Sequence, residues 1–239
     1  MLEWLKKWSG ALFLAWNKQM RLRLPESMRF ANKGESRSCE MAAFALLGGF
    51  MAVLVTIPAL LAGLVFTAFG GALIFGVLAW VVWLFHDHGR GDGLISARIA
   101  AYLPGKEMPY HLAIPVIMMI LKLALLMALF ACGRAWMLTL IWAGSFALEV
   151  LLLKDAGFSP PVTDFSGDAT RRFWVVMSVI LVINFLLSPL SSALAALFFA
   201  ILWKVVRERL GNAPNLIDEI RCSGAVANWV LLLCGVLAI

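Results

Sequence analysis

The residues best suited to chemistry lie together in the stretch FHDHGRGDGLISAR, from Phe85 to Arg98. Its ionisable side chains are close neighbours in the sequence: His86, Asp87, His88 and Asp92. Carboxylates and phosphate oxygens are the ligands that Mg²⁺ prefers, whereas imidazole pairs suit transition metals. Two interpretations fit this pattern. The stretch is either a metal or phosphate site, or a solvated helix end that is followed by a glycine-rich turn.

Glycines alternate with the ionisable residues of this stretch, at Gly89, Gly91 and Gly93. On a regular helix His88 and Asp92 would share a face, because residues four apart are neighbours on the helix surface. We expect the glycines to interrupt the helix and to let backbone N–H groups approach a phosphate closely. Arg90 lies within the same stretch and is a candidate for binding an anionic substrate.

The remainder of the chain is strongly apolar. Of its 239 residues, 62% are hydrophobic and 14% are charged, whereas soluble domains have about 45–50% apolar and about 25% charged residues. This composition predicts an all-α fold, a polytopic integral membrane helical bundle in which each span has about 20 residues. The cysteines are scattered without metal-ligand spacing, so we interpret them as small hydrophobic residues.

Apolar segments predict about seven transmembrane helices. The first four cover about 42–64, 68–85, 112–131 and 135–153. A fifth starts near Phe173, a sixth follows the SPLSS break, and a seventh reaches residue 239. Before them, Trp4 and Trp8 recur at helical spacing and predict an amphipathic interfacial helix in residues 1 to about 24. We therefore divide the chain into an N-terminal segment, 1–40, and one transmembrane domain, 41–239.

Nearly all of the 20 lysines and arginines, and of the 14 acidic residues, flank these spans on one side. The positive-inside rule assigns that side, together with the amino terminus, to the cytoplasm. We therefore expect a multi-pass membrane protein that contacts lipids and does not bind nucleic acid. Any site for a charged substrate should open to the cytoplasmic side.

Two charged residues fall inside predicted spans, Lys122 in the third and Glu149 in the fourth. An unpaired charge in mid-span costs at least about 2.5–3.5 kcal/mol. Three interpretations remain: an ion pair between these two residues, a functional role for Lys122 in a polar cavity, or snorkelling to the interface. At the start of the fifth span, Arg171 and Arg172 are either lipid anchors or a phosphate clamp.

Several motifs follow one another in a recognisable order. Arg23-Leu24-Pro25 precedes the first span, which contains Phe44-Ala45-Leu46-Leu47-Gly48; the stretch from Phe85, then Lys122 and finally Gly224-Ala225 come later. In this order the chain resembles the cobalamin synthase family, the adenosylcobinamide-GDP ribazoletransferases. That family carries Phe-His-x-Asp-Gly-x-x-Asp-x-x-Asp where this chain has FHDHGRGDGLI. His86, Gly89 and Asp92 match the motif.

The resemblance implies a Mg²⁺-dependent transfer. A ribose hydroxyl of α-ribazole 5′-phosphate attacks the phosphorus of adenosylcobinamide-GDP that bears the cobinamide, and GMP is released. It implies catalytic roles for Asp92 and His86, and metal ligation by His86, His88 and Asp92. Its candidate substrate-binding residues are Arg90, Arg171, Arg172 and Lys122.

The chain departs from the family at three acidic positions, which are His88, Ile95 and Arg221 here. Because imidazole is neutral and arginine repels cations, we expect an altered metal site or none. One alternative function is therefore a catalytically degenerate relative that serves as a subunit or scaffold of a membrane complex. Another is a small-solute transporter that uses Lys122 and Glu149. The oligomeric state stays open between a homo-oligomer and a complex with a partner membrane subunit.

Overall fold

The computed structural model describes residues 2–20, 23–28, 33–86, 88–102, 109–157, 165–210 and 215–238. For residues 2, 33–38, 88, 89 and 109–112 it describes the backbone alone. Within these ranges the chain forms α-helices, one short 3₁₀ turn at Glu26–Met28 and no strand. The helices are α1 Leu2–Gln19, α2 Lys33–Val65, α3 Ala68–Phe85, α4 His88–Tyr102, α5 Pro109–Ala131, α6 Met137–Asp155, α7 Gly167–Leu187, α8 Pro189–Leu210 and α9 Leu216–Leu237. The predicted all-α class is confirmed.

Seven of these helices are long and apolar enough to cross a membrane: α2, α3 and α5 to α9. The predicted number of spans is therefore confirmed, and the chain is a multi-pass membrane protein. Helix α3 has the predicted bounds, and the SPLSS break separates α7 from α8 at Ser188. The predicted domain boundary at residue 40 falls inside α2, which begins at Lys33. We call the end of the bundle at which α2 begins the basic face.

Helix α6 lies at the centre of the bundle. In its apolar segment 83% of the residues are buried, compared with 17% in α7 and in α8. Helix α2 approaches it closely because Gly48 has no side chain. A Cβ atom on Gly48 would lie 2.8 Å from the backbone of Trp142 and Ala143. The outer helices therefore face lipid, while α6 contacts protein on nearly every side.

The glycine-rich stretch after α3 forms helix α4, and our expectation that glycines would interrupt the helix is wrong. The break comes earlier, at His86, whose backbone is extended. Gly91 lies against α9, where a Cβ atom would be 2.6 Å from the carbonyl oxygen of Arg221 and 2.8 Å from Cβ of Ala225. Glycine inside a helix costs about 1 kcal/mol relative to alanine. Here that cost is offset by the close packing of α4 on α9.

The predicted amino-terminal helix is α1, and it packs on α2. Ala11 and Ala15 are fully buried, while Trp4 is 60% exposed, so the helix is amphipathic as predicted. Lys18 at its end forms an ion pair with buried Glu40 of α2. Just beyond the helix, Met20 forms an antiparallel backbone bridge with His86. This bridge connects the end of α1 to the corner between α3 and α4.

Candidate functional site

Asp92 and Lys122, two predicted site residues that are 30 positions apart in the sequence, form an ion pair. The Nζ atom of Lys122 on α5 lies 2.6 Å from Oδ2 of Asp92 on α4. Lys122 is 3% exposed, so its ammonium group is almost completely withdrawn from solvent. A buried charge requires a close partner of opposite sign, and Asp92 supplies it.

Two tryptophans contact both members of this pair. The indole N–H of Trp83 donates to Oδ2 of Asp92 at 2.8 Å, and that of Trp229 donates to Oδ1 at 2.9 Å. Nζ of Lys122 lies 4.1 Å from the ring centroid of Trp83 and 5.3 Å from that of Trp229. Each indole therefore stabilises the carboxylate through its N–H and the ammonium through its π-face. We call these four residues the Asp92–Lys122 cluster.

The helices that carry the cluster meet because of their small residues. Gly91 allows α4 to touch α9 at Arg221 and Ala225. Trp229 follows Ala225 by one helical turn and Asp92 follows Gly91 directly, so this contact brings their side chains together. On α3, Gly76 lies against α5, where a Cβ atom would be 2.8 Å from Leu123 Cδ1. Lys122 is the residue before that contact.

A cavity of about 270 Å³ lies beside the cluster. Its polar lining consists of Asp92, Ser96 and Lys122, and its other walls include Trp80 and Trp229. Val116, which also lines it, is 49% exposed on the outer surface of the bundle. The cavity is therefore a largely apolar recess that opens onto an apolar surface, with Asp92 and Lys122 as the charged groups of its wall.

Two further ion pairs lie near the start of α9. Nη2 of Arg98 on α4 lies 2.5 Å from Oε2 of Glu219, and this hydrogen bond raises the pKa of Arg98. Arg221 lies 3.8 Å from Asp218, one turn earlier on the same helix. Both acidic residues of this segment are thus already engaged by arginines.

The structure places the other predicted site residues apart from the cluster or at its edge. His86 is 2% exposed and stacks on Phe146, with ring centroids 4.0 Å apart. The ring centroids of His86 and Trp83 lie 5.9 Å apart, and Trp83 in turn donates a hydrogen bond to Asp92. Arg90 is exposed on α4. The side chain of His88 lies outside the described residues, as does all of Asp87.

The side chains of Arg171 and Arg172 do not converge on one site in this structure, as a phosphate clamp would require. Nη1 of Arg172 lies 3.1 Å from Sγ of Cys39, so this side chain faces α2. Arg171 is exposed. Neighbouring residues on a helix project about 100° apart, which is why the two side chains diverge.

The ion pair between Lys122 and Glu149 that the sequence left open is not formed, since Lys122 pairs with Asp92. Glu149 is 5% exposed and lies against Gly224 of α9, where a Cβ atom would collide with its carboxylate. Sequence reasoning compared only charges within spans, and Asp92 lies on a helix that does not span. It also missed Trp83 and Trp229, although a buried indole usually needs an acceptor for its N–H.

The described side chains do not fit the Mg²⁺ ion that the family resemblance implies. Both oxygens of Asp92 already accept hydrogen bonds. Among the side chains that the structure describes, no group of three or more His, Cys, Asp or Glu residues is placed to hold a metal ion. Arg221 adds a positive charge to the α9 segment that packs against Gly91. Metal ligation by His86, His88 and Asp92 stays a prediction, because the side chain of His88 is not among those described.

Comparison of the chain with protein-family models, curated proteins and solved structures finds no match. The resemblance to the cobalamin synthase family therefore stays a prediction based on motifs. The described structure brings residues of the stretch from Phe85 against both Lys122 and Ala225, through Asp92 and Gly91 respectively.

Proposed function

We propose that the chain is a membrane-embedded transferase of phosphorus-containing groups, of the cobalamin-synthase type. In this proposal it joins α-ribazole 5′-phosphate to adenosylcobinamide-GDP and releases GMP. The reaction takes place at the basic face, which we assign, with the amino terminus, to the cytoplasmic side of a bacterial inner membrane.

The observation that supports this proposal is the meeting of the motif residues. Asp92 from the His86 motif contacts Lys122 from the third span. Gly91 lies against Arg221, which stands at one of the family's acidic positions, and against Ala225 of the motif Gly224-Ala225. These contacts also stabilise the bundle, and a shared site at this place would use the same residues.

The proposed reaction develops negative charge on two phosphates. The ribose hydroxyl oxygen bonds to the phosphorus that bears the cobinamide, the phosphorus–oxygen bond to GMP breaks, and the hydroxyl proton passes to the phosphate of the departing GMP. Because the described side chains do not fit Mg²⁺, we assign charge compensation to cationic side chains at the cavity and on α4. These are Lys122 at the inner wall and Arg90, which is exposed on α4. Asp92 orients Lys122, and His86 is a positioning residue that packs against Trp83.

The direct test is GMP release by the purified protein in lipid nanodiscs, supplied with adenosylcobinamide-GDP and α-ribazole 5′-phosphate. We expect release by the wild type and loss of at least about tenfold in kcat for Arg90→Gln, since it removes one charge-compensating group. The matched control is Arg209→Gln, an exposed arginine at the end of α8, which should retain wild-type rates. Growth of a strain that lacks cobalamin synthase, on cobinamide, tests the same activity in cells. The absence of both GMP release and growth would contradict the proposal.

A second candidate function is a non-catalytic subunit or scaffold of a membrane complex. It is favoured by the hydrogen bonds to both oxygens of Asp92, which leave this carboxylate little capacity for a metal ion or proton transfer. The GMP-release assay separates the two candidates, because a non-catalytic subunit releases no GMP. A Mg²⁺ titration by calorimetry tests the charge compensation assigned above: binding that Asp92→Asn abolishes would indicate a metal-using enzyme instead. The transporter hypothesis relied on a pair between Lys122 and Glu149, and no contact between them supports it.

A further inference from the structure

A second cavity lies on the other side of the bundle, between α6, α7, α8 and α9. Its volume is about 240 Å³ and its lining is almost entirely apolar. Small residues provide the space, namely Gly144, Ala195, Ala196 and Ala200, while Trp174 and Trp203 form walls. Trp174 is 39% exposed, and Ala200 is exposed as well, so the cavity is a groove that opens onto the lipid-facing surface.

The groove has an aromatic end near the basic face. Trp174 and Trp203 contact each other there, with ring centroids 6.0 Å apart. The indole N–H of Trp203 donates to Oδ2 of Asp155 at 2.9 Å. Tryptophans concentrate at the membrane interface, where the ring lies in the apolar layer and the N–H reaches polar groups. This end of the groove therefore lies at the depth of lipid headgroups.

Two arginines continue the helix faces that line the groove. Arg171 precedes Trp174 by three residues on α7, and Arg207 follows Trp203 by four on α8, so each lies one turn beyond the tryptophan on the same face. The side chain of Arg207 is 61% exposed and its Nε lies 3.6 Å from Asp155. Arg171 is exposed and has no ion-pair partner among the described residues. The apolar groove thus ends in a pair of accessible guanidinium groups.

We propose that this groove binds an anionic phospholipid, with an acyl chain between α7 and α8 and the phosphate at Arg171 and Arg207. The groove is smaller than the roughly 300–1,000 Å³ of pockets for compact ligands, so it suits a slender group such as an acyl chain. From Ala195 to Trp203 it extends along α8 for about 12 Å, at about 1.5 Å per residue. Guanidinium groups match phosphate geometry, and an excess of positive charge favours an anionic over a zwitterionic headgroup.

This inference does not depend on the proposed transferase activity. It gives Arg171 a lipid phosphate as its ligand, in place of the substrate phosphate predicted from the sequence. The two sources of phosphate differ in the apolar part of the molecule. A free phosphate has no apolar part to fill the groove, whereas a phospholipid has an acyl chain.

The test is native mass spectrometry of the full chain, released from detergent with a mixture of dioleoyl phosphatidylglycerol and dioleoyl phosphatidylcholine. We expect one tightly retained phosphatidylglycerol on the wild type. The double variant Arg171→Gln/Arg207→Gln should bind it about 25-fold more weakly, because each arginine near an anionic headgroup contributes about fivefold. Ala200→Phe should fill the groove and weaken retention of both lipids.

Matched controls lie on the same helix. Arg209→Gln removes an exposed arginine that projects away from the groove, and Ile201→Phe enlarges a side chain that does not line it. Both should retain the lipid as the wild type does. Equal retention of the two lipids by the wild type would overturn the proposal. So would displacement of the bound lipid by millimolar inorganic phosphate, or unchanged retention by Ala200→Phe.

Discussion

Helix α4 carries two ion pairs of nearly equal length in different surroundings. Asp92 lies 2.6 Å from Lys122, and Arg98 lies 2.5 Å from Glu219. The side chain of Lys122 is 4% exposed, whereas that of Arg98 is 49% exposed. The first pair also receives two indole N–H groups and two π-faces. The difference teaches that the surroundings of an ion pair, and not its length, determine how much stability is lost when one partner is removed.

The physical reason lies in what remains when one partner is removed. Asp92 and Glu219 are similarly exposed, at 22% and 25%, but Asp92 lies beside a recess in the apolar surface, whereas Glu219 lies at the basic face. Without Lys122, the charge of Asp92 would be left uncompensated among apolar groups, which destabilises by about 3–5 kcal/mol. Without Arg98, Glu219 can be compensated by water, and exposed pairs contribute about 0–1 kcal/mol. Four substitutions test this contrast, in order of decreasing expected effect.

Lys122→Met should have the largest effect. It keeps the apolar stem of the side chain but removes the cation, so we expect the free energy of unfolding to fall by about 3–5 kcal/mol. The measurement is reversible unfolding in mixed micelles. The double variant Lys122→Met/Asp92→Asn removes both charges and should recover part of that loss, with a coupling energy near the upper end of about 0.5–3 kcal/mol. Additive effects of the two substitutions would contradict the importance of the buried pair.

Trp229→Phe should have the next largest effect. It keeps an aromatic ring but removes the N–H that donates to Oδ1 of Asp92 at 2.9 Å. A hydrogen bond to a charged group contributes about 1.5–3 kcal/mol, and we expect a loss in that range by the same unfolding assay. Trp80→Phe is the control, because Trp80 lines the same cavity and its indole has no hydrogen-bond partner within the described residues. Equal losses in both variants would show that ring size alone matters.

Gly91→Ala tests the helix contact that brings the cluster together. The added methyl group would meet the carbonyl oxygen of Arg221 at 2.6 Å, and overpacking of this kind costs about 1–3 kcal/mol. Gly93→Ala, two residues later, meets nothing within 4 Å and should instead stabilise the helix by about 0.5–1 kcal/mol. The measurement is the same unfolding assay. If both variants were stabilised, the close approach of α4 to α9 would be wrong.

Arg98→Gln should have the smallest effect, at most about 1 kcal/mol, because the guanidinium is largely exposed and solvent screens the pair. Raising the salt concentration should reduce even this difference, since exposed charges are screened within about 10 Å at 0.1 M salt. Lys122→Met, measured at the same two salt concentrations, should show little change. A large, salt-independent loss in Arg98→Gln would remove the contrast between the two pairs.

Periodicity and composition predicted the span architecture of this fold well. Long apolar runs bounded by charges fixed the seven spans, and the SPLSS break separated α7 from α8 because Ser188 ends one helix and Pro189 begins the next. Helix α4 was not predicted, since three glycines in a short segment usually indicate a turn. The reason for Gly91 is a contact with Arg221, which lies far away in the sequence. Local propensity contains no information on such a contact.

The candidate site was predicted in part, and for a similar reason. Asp92 and Lys122 were both singled out as ionisable residues in an apolar chain, but their pairing depends on how α4 and α5 pack. Burial was equally hard to predict. Helices α6 and α7 are both apolar along their length, yet α6 is enclosed and α7 faces lipid. Which span becomes the centre depends on the sum of helix contacts, and a residue pattern within one span does not contain that sum.

The backbone bridge between Met20 and His86 gives the amino-terminal helix a second task besides covering α2. It fastens the corner from which α4 departs, and α4 carries Asp92. Deleting the first 20 residues should therefore loosen the Asp92–Lys122 cluster, although no described side chain of α1 belongs to it. A protease or a partner protein that detached α1 would therefore alter the cavity without touching it.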